Sequence, residues 1–228
     1  MTFFRVNLLA FEFSSTHRSV AVATTDAAGV ARVHATESET GGRSINALAL
    51  VARALESAGI EREQIDHLAV ALGPGSNMGI RISISLAQGW QLALRTPVLG
   101  VSSADCLAAQ AHRAGWFGRV AVVVDAQRHE IYLGLYDLDT AGWRAAEPLR
   151  IVPIAEAAAL DSRVDHWVGP EATKWFPRGR ILHADAATVA TLAAGRTDFT
   201  AAAQLEPVYL RAVEFVKAPP PRVLPTEP

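Results

Sequence analysis

Residues 67–81 read His67-Leu68-Ala69-Val70-Ala71-Leu72-Gly73-Pro74-Gly75-Ser76-Asn77-Met78-Gly79-Ile80-Arg81: a compact apolar run, a glycine-rich turn, and the start of a longer segment. The run has the length of a buried strand, and Gly73-Pro74-Gly75-Ser76 has turn chemistry. From Asn77 to Arg95 two periods compete. Ile80, Ile82, Ile84 and Leu86 alternate with Arg81, Ser83 and Ser85 as in a strand, whereas Ile80, Ile84, Ala87 and Trp90 or Gln91 share a helical face. Length decides for a helix, because an unbroken strand of about 19 residues is unusual. The unit is therefore strand, glycine turn, helix.

Upstream, residues 5–12, 18–25 and 30–37 form β-rich runs joined by links short enough to favour antiparallel neighbours. Residues 44–58 carry Leu48, Val51, Ala52 and Leu55 at helical spacing, with Gly59 placed to end the helix. Downstream, a short strand at Val98–Val101 precedes a helix toward Arg113 that Ser102 or Ser103 can cap. A second sheet-forming unit opens at Val120–Val124, turns at 125–129, and continues with strands at 131–136 and 143–152. Helices are expected at 154–160, 170–176 and 185–194, and a strand at 165–168. The order β-β-β-α-β-α, partly repeated, predicts two similar α/β subdomains at 1–103 and 104–216. Residues 217–228, with Pro219, Pro220, Pro221 and Pro225, are expected to be extended or disordered.

The 228 residues are 50% apolar with a formal charge of −2, so a large core is affordable and a polybasic nucleic-acid surface is not indicated. If RNA is involved, another subunit is expected to hold it. A single Cys106 permits no internal disulfide, no leader pattern stands out, and the apolar stretches are strand-sized, which together point to a cytoplasmic protein without a membrane span.

The glycine turn could expose N–H groups to a phosphate at a helix N-terminus. A Walker A loop needs a Gly-Lys-Ser/Thr ending that is missing, and a dinucleotide fingerprint needs an acid near Gly100-Val101-Ser102 that is also missing. A tight turn that packs the helix on its sheet is the plain alternative. Gly79, Ser83 and Ala87, spaced by four, form a small-residue stripe suited to close packing, either on the chain's own sheet or on a partner helix. His129-Glu130 begins an H-E-x-x-H motif that fails at Leu133, and the seven histidines show no metal-sharing spacing. Cys106 reads as a buried inert thiol, and no G-x-S-x-G elbow occurs. Glu12 and Asp125 each stand where a strand passes into a turn, so they could flank a cleft between the subdomains, or each could serve a local turn hydrogen bond.

Several segments together resemble the TsaB family. Leu9-Ala10-Phe11-Glu12-Phe13-Ser14-Ser15 with Ser19-Val20-Ala21-Val22 is similar to its L-A-L-D-T-S-T…S-V-A opening. The loop Gly73, Pro74, Gly75, Ser76, Gly79, Ile80 and Arg81 resembles G-P-G-S-F-T-G-V-R-I, and Leu86-Ala87-Gln88-Gly89 continues it. Val98-Leu99-Gly100-Val101-Ser102, Asp125-Ala126-Gln127-Arg128-His129-Glu130-Ile131-Tyr132 and Pro207-Val208-Tyr209-Leu210-Arg211 resemble V-G-V-S, D-A-R-x-x-E-V-Y and P-x-Y-L-R. Glu12, Phe13, Arg43, Asn77, Met78 and Gln127 depart from the usual residues, which marks a divergent member.

The resemblance implies an actin-like, sugar-kinase-like (ASKHA) α/β fold without a working ATP site of its own. It implies pairing with TsaD, the catalytic paralogue, joined by the ATPase TsaE, with tRNA met only through that complex and a homodimer in isolation. ATP, ADP and metal are expected on the partner subunits. The family's partner contact corresponds to the helices at 43–58 and 77–95, so Leu48, Val51, Gly79, Ser83 and Ala87 are the expected interface residues. Glu12, Ser14 and Asp125 are the positions at which residual nucleotide contact could occur. Two alternatives stand beside this reading: an M22-type glycoprotease, and an actin-like small-molecule kinase or ATPase using Glu12 and Asp125.

Overall fold

A computed structural model describes residues 5–41 and 44–211. The first lobe opens with strands β1 (Val6–Glu12), β2 (His17–Thr25) and β3 (Ala31–Thr40), antiparallel in sequence, with Glu12 opposite Ser19 and Thr25 opposite Ala31. Asp26 closes the β2–β3 turn by accepting the N–H groups of Ala28 and Val30. Helix α1 (Ala47–Ala58) then crosses the sheet to β4 (His67–Ala71), which is parallel to β1, and α2 (Asn77–Leu94) crosses to β5 (Val98–Val101). The first sheet thus runs β3-β2-β1-β4-β5.

Helix α3 (Ser103–Arg113) leads to the second lobe, where β6 (Gly118–Gln127), β7 (Glu130–Asp139) and β8 (Gly142–Pro153) are again antiparallel. Helix α4 (Ile154–Ala158) leads to β9 (His166–Gly169), α5 (Ala172–Trp175) to β10 (Gly179–Ile181), and α6 (Ala186–Ala193) follows. The second sheet runs β8-β7-β6-β9-β10, the same order as the first when each is counted along its own lobe. The expected repeat is present, and the three-residue β10 completes it.

Capping explains the helix limits. Ser76 accepts the Gly79 N–H at the start of α2, Ser102 the Asp105 N–H at the start of α3, and Asp185 the Thr188 N–H at the start of α6. Gly59, at φ 65°, ends α1 as its sequence position predicts. At the other end α1 begins at Ala47 and not at Ser44, and Asn46 makes no side-chain cap. Arg43 and the tail 217–228 lie outside the described residues.

Five layers result: α1 and α2, the first sheet, α3 and α6, the second sheet, then α4 and α5. The middle layer is an exchange. α3 follows the last strand of the first sheet yet packs on the second, and α6 follows the last strand of the second sheet yet packs on the first. Residues 198–208 also return to the first lobe, with Thr200 bridged to Val98 and Ala202 and Leu205 buried beside α2. A boundary at 103/104 separates the two sheets, but the chain beyond it supplies part of the first lobe's core.

The strand alternation feeds three apolar clusters. Leu8, Ala10, Ala21 and Ala23 face the middle layer, while Leu9, Phe11, Val20 and Val22 face α1 and α2. Beneath α4 and α5, Trp167 stacks on Phe176 at 3.8 Å between ring centroids.

The small-residue stripe of α2 needs correction. Gly79, Ser83 and Ala87 are buried against the first lobe's own sheet, and Val51 of α1 is turned inward as well. They sit on the same arc as Ile80 and Ile84, and a β-carbon at Gly79 would collide with the Phe13 carbonyl oxygen. Of the five expected interface residues only Leu48 faces outward, at 73% exposure.

Replacing Gly79 by Ala would force α2 off β1. The expected loss is about 1–3 kcal/mol of unfolding free energy, read as a lower urea midpoint at unchanged slope. A wild-type midpoint would show that the helix can shift freely.

Candidate functional site

The turns that end β4 and β6 face each other across the two lobes, and residues 207–211 pass over the gap. They enclose a cavity of about 420 Å³ lined by the signature-loop residues Gly75, Ser76, Asn77 and Ile80, by 125–128 and Tyr132, and by Pro207, Val208, Tyr209 and Arg211. Asp125 and the signature loop thus line the same cavity.

Asp125 Oδ1 accepts the Gln127 N–H at 2.7 Å, and Oδ2 lies 3.8 Å from Lys174 Nζ. Beside it, burial pushes the Glu171 carboxyl above its ordinary range, with the Asp125 charge adding to the effect and Lys174 opposing it. Glu171, Lys174, Tyr132 and Arg211 were not singled out as site residues from sequence. Tyr132 and Arg211 fall within the quoted D-A-R-x-x-E-V-Y and P-x-Y-L-R segments, whereas Glu171 and Lys174 carry no local signal and arrive through the β9–α5 turn.

Glu12 holds the position in the first lobe that Asp125 holds in the second, with the same local bond: its Oε1 accepts the Ser14 N–H at 2.6 Å. Its environment differs. Glu12 is fully buried and its Oε2 accepts the Ser103 hydroxyl at 2.8 Å. Burial drives its carboxyl above the ordinary 4.5, outweighing the lowering by Ser14 and Ser103, and Asp185 raises it further. Glu12 does not line the cavity, so it does not flank the cleft together with Asp125.

Ser14 lies beneath the signature loop. Its carbonyl accepts the Ser76 N–H at 2.6 Å, and a β-carbon at Gly75 would strike that same carbonyl. With Gly79 closed off by Phe13, two of the loop's glycines make room for the neighbouring turn of the same chain. These contacts give the turn a packing role, and its Ser76 N–H is engaged by the Ser14 carbonyl. Arg81 points elsewhere, donating to Asn77 Oδ1 at 2.9 Å.

A second polar contact joins the lobes where Ser15 Oγ lies 3.4 Å from His183 Nδ1 and the His17 and His183 rings are 5.8 Å apart. Burial, with the nearby His17, holds the His183 imidazole below its ordinary 6.5. Among the described residues no group of three or more His, Cys, Asp or Glu is arranged to hold a metal. Cys106 is buried and its thiol is pushed well above the ordinary value of 9.0, chiefly by burial, which makes it a poor nucleophile at neutral pH. No helix among the described residues is long and apolar enough to cross a membrane.

On the far side of the first lobe, α1 and α2 present an apolar face. Two adjoining grooves of about 560 and 360 Å³ share Leu48, Ser85 and Leu86, and extend to Ile45 and Ile82 at one end and Trp90 and Leu94 at the other. Leu48, which lines both grooves, stands 73% exposed, and Met78 and Leu92 of α2 stand 64% and 87% exposed.

The family model described as TsaD, tRNA N6-adenosine threonylcarbamoyltransferase, matches residues 42–207. The tRNA threonylcarbamoyladenosine biosynthesis protein TsaB of Escherichia coli (strain K12) is 37% identical over 101 residues, 44% of this chain and 44% of its own length. TsaB of Bacillus subtilis (strain 168) is 33% identical over 93 residues, 41% of this chain and 40% of its own. The matched stretch therefore spans less than half the length of these curated relatives. A Pseudomonas aeruginosa protein of known structure, described as similar to peptidase YeaZ, superposes with a TM-score of 0.73 at 31% identity, over 90% of this chain and 100% of that one. YeaZ from the same organism gives 0.72 at 29% identity with the same coverage. Two similar mixed sheets with this helix arrangement are an actin-like α/β fold.

The state of Glu12 is open to a pH test. Because the folded protein holds its proton more tightly than the unfolded chain, the stability Glu12 contributes is complete below about 4.5 and is lost as pH rises through its higher folded value. Glu12→Gln keeps both hydrogen bonds, with Ser103 now accepting. Urea denaturation from pH 4 to 8 is expected to show the variant gaining on wild type as pH rises, by at most about 1.4 kcal/mol per pH unit, and matching or exceeding it at pH 8. A difference that stays constant with pH would mean Glu12 ionises normally.

Proposed function

The chain belongs to the TsaD family as a TsaB/YeaZ-type member, and on that premise we propose that it is a non-catalytic subunit that pairs with TsaD in threonylcarbamoyl transfer to tRNA. The observation that carries this reading is the exposed apolar face of α1 and α2, which lies on the two helices the family resemblance assigns to the partner contact. Leu48 and Leu86 form its centre with Ser85 beside them, Ile82 and Trp90 flank them on either side, and Asn46, Arg62 and Glu63 give it polar margins.

In this reading TsaD supplies the metal and the reacting groups, the ATPase TsaE joins the same assembly, and tRNA is met through the complex. The isolated chain covers its apolar face by forming a homodimer, which must dissociate before TsaD binds. ATP and ADP belong to the partner subunits. The sealed Glu12 and the engaged Ser76 N–H support weak or absent nucleotide binding by this chain alone, which titration calorimetry with magnesium-ATP tests directly. Tight binding would favour the small-molecule kinase reading, with Asp125 in its cavity.

Ser83 is buried, so a charged residue there would report on folding and not on docking. Leu48→Asp and Ser85→Arg place the charge at exposed positions of that face. Each is expected to weaken the complex with TsaD from the same organism by tenfold or more, with a parallel loss of TsaD-dependent threonylcarbamoyl transfer and a thermal midpoint close to wild type. Unchanged affinity in both variants would remove this face from the interface.

A further inference from the structure

The segment that closes the cavity is tied to both lobes. Near its start, the Ala202 N–H donates to Gln91 Oε1 at 2.7 Å and Gln88 Nε2 donates to the Ala202 carbonyl at 3.3 Å, so two side chains of α2 hold it. Leu205 is buried beside α2, and the Val208 N–H donates to the Leu72 carbonyl at 2.8 Å, at the end of β4. All these anchors belong to the first lobe. Three residues further on, Arg211 Nη2 donates to the Ala126 carbonyl at 2.8 Å and Nη1 lies 2.7 Å from Glu130 Oε2. Those two acceptors flank the β6–β7 turn of the second lobe.

That turn has a strained backbone. Gln127, Arg128 and His129 have φ of 64°, 57° and 62°, three consecutive non-glycine residues in the left-handed region. Each is disfavoured there, because its β-carbon crowds the backbone carbonyl. The guanidinium fork of Arg211 grips one side of the turn by a carbonyl and the other by a carboxylate, a geometry that a lysine ammonium does not reproduce.

We propose that residues 202–211 are a strap that fixes the second lobe's β6–β7 turn relative to α2, with Arg211 as the positioning residue. The strap turns the cavity wall and the proposed partner helix into one mechanical unit, so an event on the outer face of α2 reaches the turn across the cleft. Its role in the complex rests on the reading of α2 as the partner helix; its existence does not.

Hydrogen exchange separates the two. In the isolated protein, Arg211→Met and Glu130→Gln are each expected to speed exchange of the amides at 126–131 about tenfold, the effect of losing about 1.4 kcal/mol with the Arg211–Glu130 ion pair that both variants remove. Arg211→Lys should fall between them and wild type. The central strands β1 and β6 up to Val123 should keep their protection. Wild-type rates at 126–131 in both variants overturn the strap, as does a uniform rise across both sheets, which would make Arg211 a general stabiliser. Should Arg211→Met not fold, Glu130→Gln and Arg211→Lys decide by the same readout. Adding TsaD should slow exchange at 126–131 in wild type and not in Glu130→Gln; equal slowing in both overturns the coupling. If TsaD does not bind wild type at all, the proposed function fails while the isolated-chain rates still decide the strap.

Discussion

Two backbone carbonyls occupy the space where side chains at residues 75 and 79 would stand. The Phe13 and Ser14 carbonyls press against Gly79 and Gly75, and the Ser76 N–H closes the contact. This approach docks the N-terminal turn of α2 on the end of β1. It also commits the inner arc of α2 to its own sheet, and on the opposite side Ile82, Ser85, Leu86 and Gly89 line the outer grooves. The apolar outer face and the filled turn are consequences of one packing contact.

The two lobes repeat one topology and have diverged in how they use it. At the end of β1 the acidic residue is buried and bonded to Ser103 from the start of α3; at the end of β6 it faces an open cavity beside Lys174. In both lobes the carboxylate accepts the N–H two residues on, so the turn-stabilising role is the shared one. Gly169 matches the first lobe's glycines by lying against the Val123 carbonyl, which extends the likeness to the crossing after the fourth strand. One half became a packed shoulder and the other kept a polar recess.

Local pattern carried most of the architecture. The strands at 6–12 and 17–25, the helix at 77–94 and the Ser102 cap follow from alternation, length and turn chemistry within a few residues of each position. Four features did not. The stripe of Gly79, Ser83 and Ala87 shows that one arc is small, but periodicity does not say what covers it; Ile80 and Ile84 beside it were the clue that it faces the core. Glu12 looks like a cleft residue until Ser103, distant in sequence, is seen to reach it. The strand β10 is three residues long with an exposed Ile181, too short for an alternation to register. Glu171 and Lys174 come to Asp125 only through the fold of the second sheet.

The exchange of α3 and α6 bears on how the chain is made. All five strands of the first sheet precede residue 102, yet the helix that covers the inner face formed by Leu8, Ala10, Ala21 and Ala23 spans 186–193. On a ribosome adding about 5–20 residues per second, that face waits several seconds for its cover. The nascent first lobe is a sheet whose inner face is bare, and a chain cut short before α6 leaves that face without its cover.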